Sequence, residues 1–429
     1  MGAVRPGRRR VVADQLVNMI PITLKQRTEV FANVENVVPK KIFAPAFDAT
    51  KWKALVEANR QRILDADSVE AFEGEVQKLI TELKISHMAF FHQSFLKIPP
   101  NYSIGATFQA YGTNGQTNWM FQDVHEGGPA YLSNMRPGDL LLDVEGMPVA
   151  PPDIPTFRMG GFSNVTIERL TGERVPLPLA IPMPKSKWHP IVRPKLVSWF
   201  EPEPGVAVLK ATGFPGQVGI DVAREIDGAI SNLQDCSRLI VDLRGNPGGG
   251  AGGLRLMSYF TPDKLPVGYS LSKERVAKGY KKEDLPRFDK IPSRKISLIP
   301  LLFRFALGDK SILMVTEGLG PQPFQGRIVL LVNQHTASAG ETITGFAKEN
   351  KLASIVGTKT AGQVLGGTGF KMGHGFVLRL PVVSFRTWGG NSLEGTGTVP
   401  DHSVDLSREA LRDGRDNQLQ EAIRVVKEL

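Results

Sequence analysis

The 429 residues, 41% hydrophobic and 22% charged, have the composition of an ordinary water-exposed chain too long for one hydrophobic core, so two or three domains are expected. No run approaches the roughly 18 apolar residues of a spanning helix, and the single cysteine, Cys236, excludes an internal disulfide framework and a cysteine-based zinc site. The formal charge of +9 comes from scattered Lys and Arg without interleaved aromatics, with only Arg8, Arg9 and Arg10 in a run, so no nucleic-acid partner is expected.

The arginines at the start precede no apolar core followed by small residues, so this chain is expected to carry no signal peptide. The compartment stays open between cytoplasmic and exported with a leader removed. Residues 1–98 read as an N-terminal helical domain. Asp48 or Thr50 would cap a helix whose Trp52, Leu55, Val56 and Ile63 share one face. A second helix is expected from Ser68 to Leu83, with Asp67 as N-cap, Glu70 completing a capping box, and Val69, Phe72, Val76, Leu79 and Ile80 on its apolar side. Pro99-Pro100 marks a boundary.

Residues 101–185 change to short alternating runs with glycine turns. Gly127-Gly128-Pro129-Ala130 starts a short helix, Arg136-Pro137-Gly138-Asp139 turns, and Leu140 to Val144 is a buried strand before the Glu145-Gly146 turn. This pattern resembles a PDZ domain. The resemblance implies that Ile104, Gly105 and Ala106 lie in a loop whose amides receive a peptide carboxylate while the peptide adds as a strand. A proline-rich linker, Pro176 to Pro194, should follow.

From 195 to 429 strands and helices alternate. Strands are expected at 206–210, 239–243, 328–332, 353–356, 376–381 and 382–386, and helices at 218–233, 249–259, 338–349 and 407–429. This order predicts a mainly parallel sheet covered by helices. The basic segment 261–324, with an apolar patch at Ile299–Ala306, reads as an irregular insertion, a lid or an interaction arm.

Ser338 falls where strand, turn and helix meet, in LLVNQHTASAGETITGFAKE (330–349), at the positive end of a helix dipole, with the Ala339 amide free to bind an oxyanion. Taken alone, Ser338 reads as a simple helix N-cap, the commonest job for serine at such a position. The glycine loop DLRGNPGGGAGG (242–253) opens another helix and leaves amides for an anion, or is only a flexible connection. A phosphate loop is excluded because the GxxxxGK[ST] lysine and hydroxyl are missing, and a dinucleotide fold because no acidic ribose partner follows.

The order PDZ, DLRGNPGGG, VNQHTASAGE, GTKTAG, EGTGTVPD resembles the tail-specific or C-terminal-processing serine peptidases. The resemblance implies a multidomain α/β protein with a crotonase/ClpP-like peptidase core. It also implies Ser338 as nucleophile, with the Ala339 amide and Gly248, or Gly249 in the alternative register, as oxyanion donors. In serine–lysine members the base is a lysine in a TFGKG-like turn, and the matching residue here is Gln363, which accepts no proton near neutrality. Lys359 and Lys371 stand nearby but off register.

The tricorn-like branch, related to the interphotoreceptor retinoid-binding proteins, places a Ser-His pair before the PDZ domain and a glutamate before a GV-x-PD-like segment. Ser86-His87 and Glu394 match those positions. The implied relay runs from Ser338 to His87, with Ser86 and Glu394 orienting the imidazole. Without the resemblance, His87 reads as a residue closing a helix. His335 is better suited to orienting backbone, and the remaining histidines lack metal-ligand spacing, so neither metal nor cofactor is expected. Arg386, Trp388, Gly389 and Gly390 are candidates for lining the substrate groove. Two alternatives remain: a catalytically silent binding protein for peptides or apolar ligands, and a serine–lysine peptidase using Lys359. Partners are expected to be peptides or proteins engaged through their termini, with self-association left open.

Overall fold

In a computed structural model, residues 20–94, 97–113, 115–183, 192–293 and 310–429 are described. The Arg8–Arg10 run, the Ile299–Ala306 patch and residues 184–191 of the proline-rich linker lie outside them. Helix α1 (Leu24–Lys41) starts from a capping box between Thr23 and Gln26. The Asp48 carboxylate caps α2 (Ala49–Asp65), accepting from the Thr50 and Lys51 amides. Helix α3 (Val69–Thr81) is capped by Ser68 rather than the expected Asp67. Ser68 holds the extended backbone an N-cap needs and accepts from Ala71 N at 3.2 Å. The apolar faces of the three helices meet over Phe90, Phe376, Leu378 and Leu380, forming one core on one side of a sheet.

Strand β1 (Ala89–His92) leaves this unit. The PDZ-like region follows with β2 (Lys97–Ile98), α4 (Pro100–Ser103), β3 (Ala106–Thr113), β4 (Gln116–Val124), α5 (Pro129–Leu132), β5 (Leu140–Val144), β6 (Met147–Pro148), β7 (Phe157–Arg158), β8 (Gly161–Glu168) and β9 (Arg174–Ile181). Its antiparallel sheet runs β3-β4-β5-β8-β9, with β6 on β5 and a separate β2–β7 pair. Pro176 and Pro178 lie inside β9 rather than in a linker. The strand is at the sheet edge, where a missing outward N–H removes no ladder bond.

The remaining elements are β10 (Val197–Glu203), β11 (Val206–Ala211), α6 (Ile220–Ser231), β12 (Arg238–Asp242), α7 (Gly253–Ser258), β13 (Pro266–Ser272), α8 (Lys273–Lys278), β14 (Arg287–Phe288), β15 (Ile312–Val315), β16 (Ile328–Val332), α9 (Ala339–Glu349), β17 (Ser354–Gly357), β18 (Gly366–Gly373), β19 (Phe376–Thr387), β20 (His402–Ser403), α10 (Arg408–Arg412) and α11 (Asn417–Glu428). The sheet β10-β11-β12-β16-β17-β20 is parallel except for β10. Residues of α6, α7 and α9 cover one face and those of α11 the other, which is why β16 reads Ile-Val-Leu-Leu-Val and is buried throughout.

A third sheet, β1-β19-β13-β15-β14 with β18 on β19, corrects two expectations. The two strands expected at 376–386 are one 12-residue strand with Pro381 inside it. Segment 261–324 is not irregular throughout, because β13 and β15 pair within it and β13 continues onto β19. The closing helix divides into α10 and α11 around Gly414, which adopts φ +76, and Asp416 caps the second half.

Candidate active site

After β16 the chain turns through Asn333, whose Oδ1 accepts from Gly245 N and His335 N, each at 3.0 Å. The turn delivers Ser338 to the start of α9 with φ 53 and ψ −116, a conformation that L residues avoid and that recurs at functional sites. Its side chain makes no cap hydrogen bond, so the hydroxyl is not engaged as a helix cap. The backbone is fixed instead: Ser338 N donates to Gln363 O at 2.8 Å, and Ser338 O accepts from Thr342 N at 2.9 Å. The residue is half-buried and open to solvent.

The glycine loop lies against this turn. A Cβ at Gly248 would fall 2.5 Å from Ser338 Cβ and 2.6 Å from Ala339 N, at φ +83, so only glycine fits there. The two glycines differ in their amides. Gly248 N donates to Asn246 Oδ1 at 2.7 Å, whereas Gly249 N and Ala339 N donate to no acceptor among the described residues.

Three supporting residues escaped the sequence reading. Asn246 is fully buried, donates to Ala211 O at 2.8 Å and accepts from Ala337 N at 2.9 Å, joining strand end, glycine loop and Ser338 turn. Glu341 is also fully buried and accepts from Thr360 Oγ1, Gly362 N and Gln363 N at 2.6, 2.7 and 2.6 Å. Burial pushes its carboxyl upward while these donors pull it down. Arg244 bonds bidentately to Asp242 and pairs with Asp416 at 2.8 Å, tying the loop to the cap of α11. The signal for Glu341 was present, since a carboxylate inside an otherwise small and apolar helix start must find partners.

His87 follows α3 at φ 60, also in the left-handed region. Its Nδ1 lies 3.0 Å from Ser86 Oγ, and Gly367 on β18 packs beside it. Burial, with a smaller push from the Arg379 guanidinium, lowers its pKa to about 4, so the ring is neutral and able to accept a proton. The expected relay is only partly assembled. No hydrogen bond joins Ser338 to His87, and Glu394 accepts from Val364 N at 2.8 Å rather than from His87 or Ser86. Gln363, at the position of the lysine in serine–lysine members, reaches Ser338 through its backbone, whereas the Lys359 side chain is exposed.

The loop expected to receive a peptide carboxylate is closed. Ile104, Gly105 and Ala106 are buried, and the Ile104 and Gly105 amides both donate to Pro100 O, at 2.8 and 3.1 Å. Val192 N donates to Tyr102 O at 2.7 Å and Pro194 packs on Gly105. The correction is physical: the short turn of α4 satisfies those amides internally. The outer edge of β3 has no strand partner among the described residues.

The PDZ-like sheet meets the glycine loop and the Ser338 turn through polar groups. Asp123 accepts from Asn333 Nδ2 at 2.7 Å, His125 Nε2 lies 3.2 Å from Gly245 O, and His335 Nε2 lies 2.8 Å from Phe108 O. His125 is 1% exposed, and burial, reinforced by Lys210, lowers its pKa to about 4. An unfolded histidine titrates near 6.5, so the unfolded state takes up this proton first as pH falls. Stability from His125 is therefore complete above about pH 6.5 and lost toward pH 4, by roughly 3 kcal/mol. Buried carboxylates such as Glu341 oppose this trend. Urea unfolding of wild type and His125→Asn at stepped pH should isolate it as a flatter profile in the variant. Equal slopes would place the effect elsewhere.

The candidate groove loop is held to the 261–324 segment. Lys282 Nζ sits 3.9 Å from the Trp388 ring centroid, and Arg386 donates to Gly390 O at 2.9 Å. Among the described residues no group of three His, Cys, Asp or Glu side chains is placed to hold a metal, and no helix is long and apolar enough to cross a membrane.

Ser338 is thus freed from capping at a strained strand-to-helix turn and flanked by amides without internal acceptors among the described residues. The model of peptidase family S41 matches residues 205–404. The carboxyl-terminal-processing protease of Synechocystis is 24% identical over 287 residues, 65% of this chain and 57% of that protein. A tricorn protease homologue of Streptomyces coelicolor is 36% identical over 110 residues, 24% of this chain and 9% of that protein. The chain thus spans little more than half the length of the first curated relatives it matches. The photosystem II D1 C-terminal processing protease shares the fold, with a TM-score of 0.54 and 18% identity over 94% of this chain and 98% of that one.

Proposed function

We propose that the chain is a serine endopeptidase of the C-terminal-processing type, with Ser338 as nucleophile and His87 as base. The observation that carries this reading is Ser338 itself: a strained N-terminal position whose hydroxyl caps nothing, packed on a glycine loop that tolerates no side chain. His87 removes the Ser338 proton as the hydroxyl attacks the peptide carbonyl, then returns it to the departing amine. Water repeats the sequence on the acyl-enzyme. Ala339 N and Gly249 N serve the oxyanion, with Gly248 joining only if it releases Asn246.

Ser86 holds Nδ1 of the imidazole, and Glu394 joins by exchanging Val364 N for the relay. Catalytic hydrogen bonds often tighten only with substrate in place. The tricorn-like branch is favoured by the Ser86-His87 pair, and the core takes the crotonase/ClpP-like arrangement. The PDZ-like region would take extended chain ends along β3. A silent binding protein is the second reading, supported by the open Ser338–His87 gap.

Fluorophosphonate labelling tests the assignment. Covalent capture should slow about 10²–10⁴-fold in His87→Ala and stay within a few-fold of wild type in Lys359→Ala. The reverse pattern would move the base to lysine.

A further inference from the structure

Asn333, Gln334 and His335 are consecutive in the turn between β16 and Ser338, and each side chain reaches the PDZ-like sheet. Asn333 Nδ2 donates to Asp123 Oδ2 at 2.7 Å. Gln334 and Gln122 exchange amide hydrogen bonds at 2.7 and 3.2 Å, and His335 Nε2 lies 2.8 Å from Phe108 O. Asn333 does more than its neighbours. It is fully buried, and its Oδ1 accepts both from His335 N in its own turn and from Gly245 N at the head of the glycine loop, each at 3.0 Å. One side chain therefore bridges the two loops that carry the Gly249 and Ala339 amides.

That bridge works in one orientation of the amide only. Two N–H groups point at Oδ1, so a flipped Asn333 would set its own NH2 against two donors. Asp123 decides the flip. A carboxylate offers acceptors alone, so it takes Nδ2 and turns Oδ1 toward Gly245 and His335. Asp123 is itself buried and fixed: Thr107 Oγ1 donates to its Oδ2, and a Cβ at Gly245 would fall 2.9 Å from that same oxygen. It lies outside the residues matched by the family model. We propose that Asp123 is a positioning residue for the Ser338 site, an inference that rests on the peptidase reading. By orienting Asn333 it sets the glycine loop against the Ser338 turn, and with them the spacing of the Gly249 and Ala339 amides around an oxyanion. Its effect falls on the chemical step and spares substrate binding.

The test exchanges the two partners in the full chain. Asn333→Asp sets two carboxylates against each other, and Asp123→Asn leaves the Asn333 amide free to flip. The double variant restores a donor facing a carboxylate in the reverse direction, with oxygens at position 333 that still accept from Gly245 N and His335 N. Fluorophosphonate labelling should slow about 10- to 100-fold in Asn333→Asp and by a smaller factor in Asp123→Asn. The double variant should regain most of the loss. In peptide hydrolysis the loss should appear in kcat, with KM little changed. Gln122→Ala breaks the neighbouring amide pair but leaves Asn333 its side-chain bonds, and should label near the wild-type rate.

Amide hydrogen exchange reads the same geometry without turnover. Protection should fall together in the glycine loop, 242–253, and the turn, 333–338, in each single variant and return in the double variant. A double variant with neither labelling nor protection above Asn333→Asp overturns the proposal. So does a loss in Gln122→Ala equal to that in Asp123→Asn, which would make the whole seam the support. If circular dichroism shows Asn333→Asp unfolded, a wild-type labelling rate and wild-type protection in Asp123→Asn have the same force. Failure of the wild type to label sinks the peptidase reading, while exchange in the two loops judges the positioning role by itself.

Discussion

Ser338→Ala is expected to lower peptide hydrolysis by at least about 10⁴-fold and to abolish covalent capture by a fluorophosphonate. The fold should survive. Ser338 makes no side-chain cap bond, and alanine occupies the same strained φ at similar cost, so stability should stay within about 1 kcal/mol of wild type. Intact mass and a thermal melt together read both quantities. A variant that still labels at Ser338-independent sites, with hydrolysis unchanged, would remove this serine from the chemistry. An unfolded variant would mean that the turn depends on the hydroxyl in some other way.

Glu341→Ala should do the opposite, damaging the fold first and the chemistry through it. Removing the carboxylate strands the buried Thr360 hydroxyl and Gly362 amide, and the part-buried Gln363 amide. At about 1–3 kcal/mol for each unsatisfied buried donor, the loss should reach several kcal/mol. Hydrolysis should fall as well, because Gln363 O is the acceptor that holds Ser338 N. Glu341→Gln keeps one acceptor oxygen and should lose less. Denaturant midpoints for the two variants give the ranking, and an Ala variant as stable as wild type would show that these donors find other partners.

Much of the parallel core was legible because fully buried strands write continuous apolar runs. Ile328–Val332 and Arg238–Asp242 fall within a residue or so of where periodicity puts them. The strand-to-helix turn at Ser338 was equally plain from the small residues around it. Other features depended on partners far along the chain. Nothing local in Lys97–Ile98 or Phe157–Arg158 announces their pairing, and Pro176 and Pro178 argue against a strand unless the edge position is known. Asn246, Glu341 and Arg244 could be read as polar residues, but their roles exist only where three loops meet. The closure of the Ile104 to Ala106 loop was hidden for the same reason, since the amides are satisfied by a turn whose geometry only the assembled chain fixes.

The pairing of β1 with β19 has a bearing on biosynthesis. His87 precedes a strand made early, yet that strand finds its ladder partner at Phe376–Arg379, near the far end of the chain. At roughly 5–20 residues per second, the ribosome needs on the order of tens of seconds to deliver the missing partner. Throughout that interval the first helices lack Phe376, Leu378 and Leu380 from their core, and Ser338 has yet to emerge. The price is slow, long-range folding. The return is that the helical unit and the Ser86-His87 turn take their final places only once Phe376–Arg379 has been made.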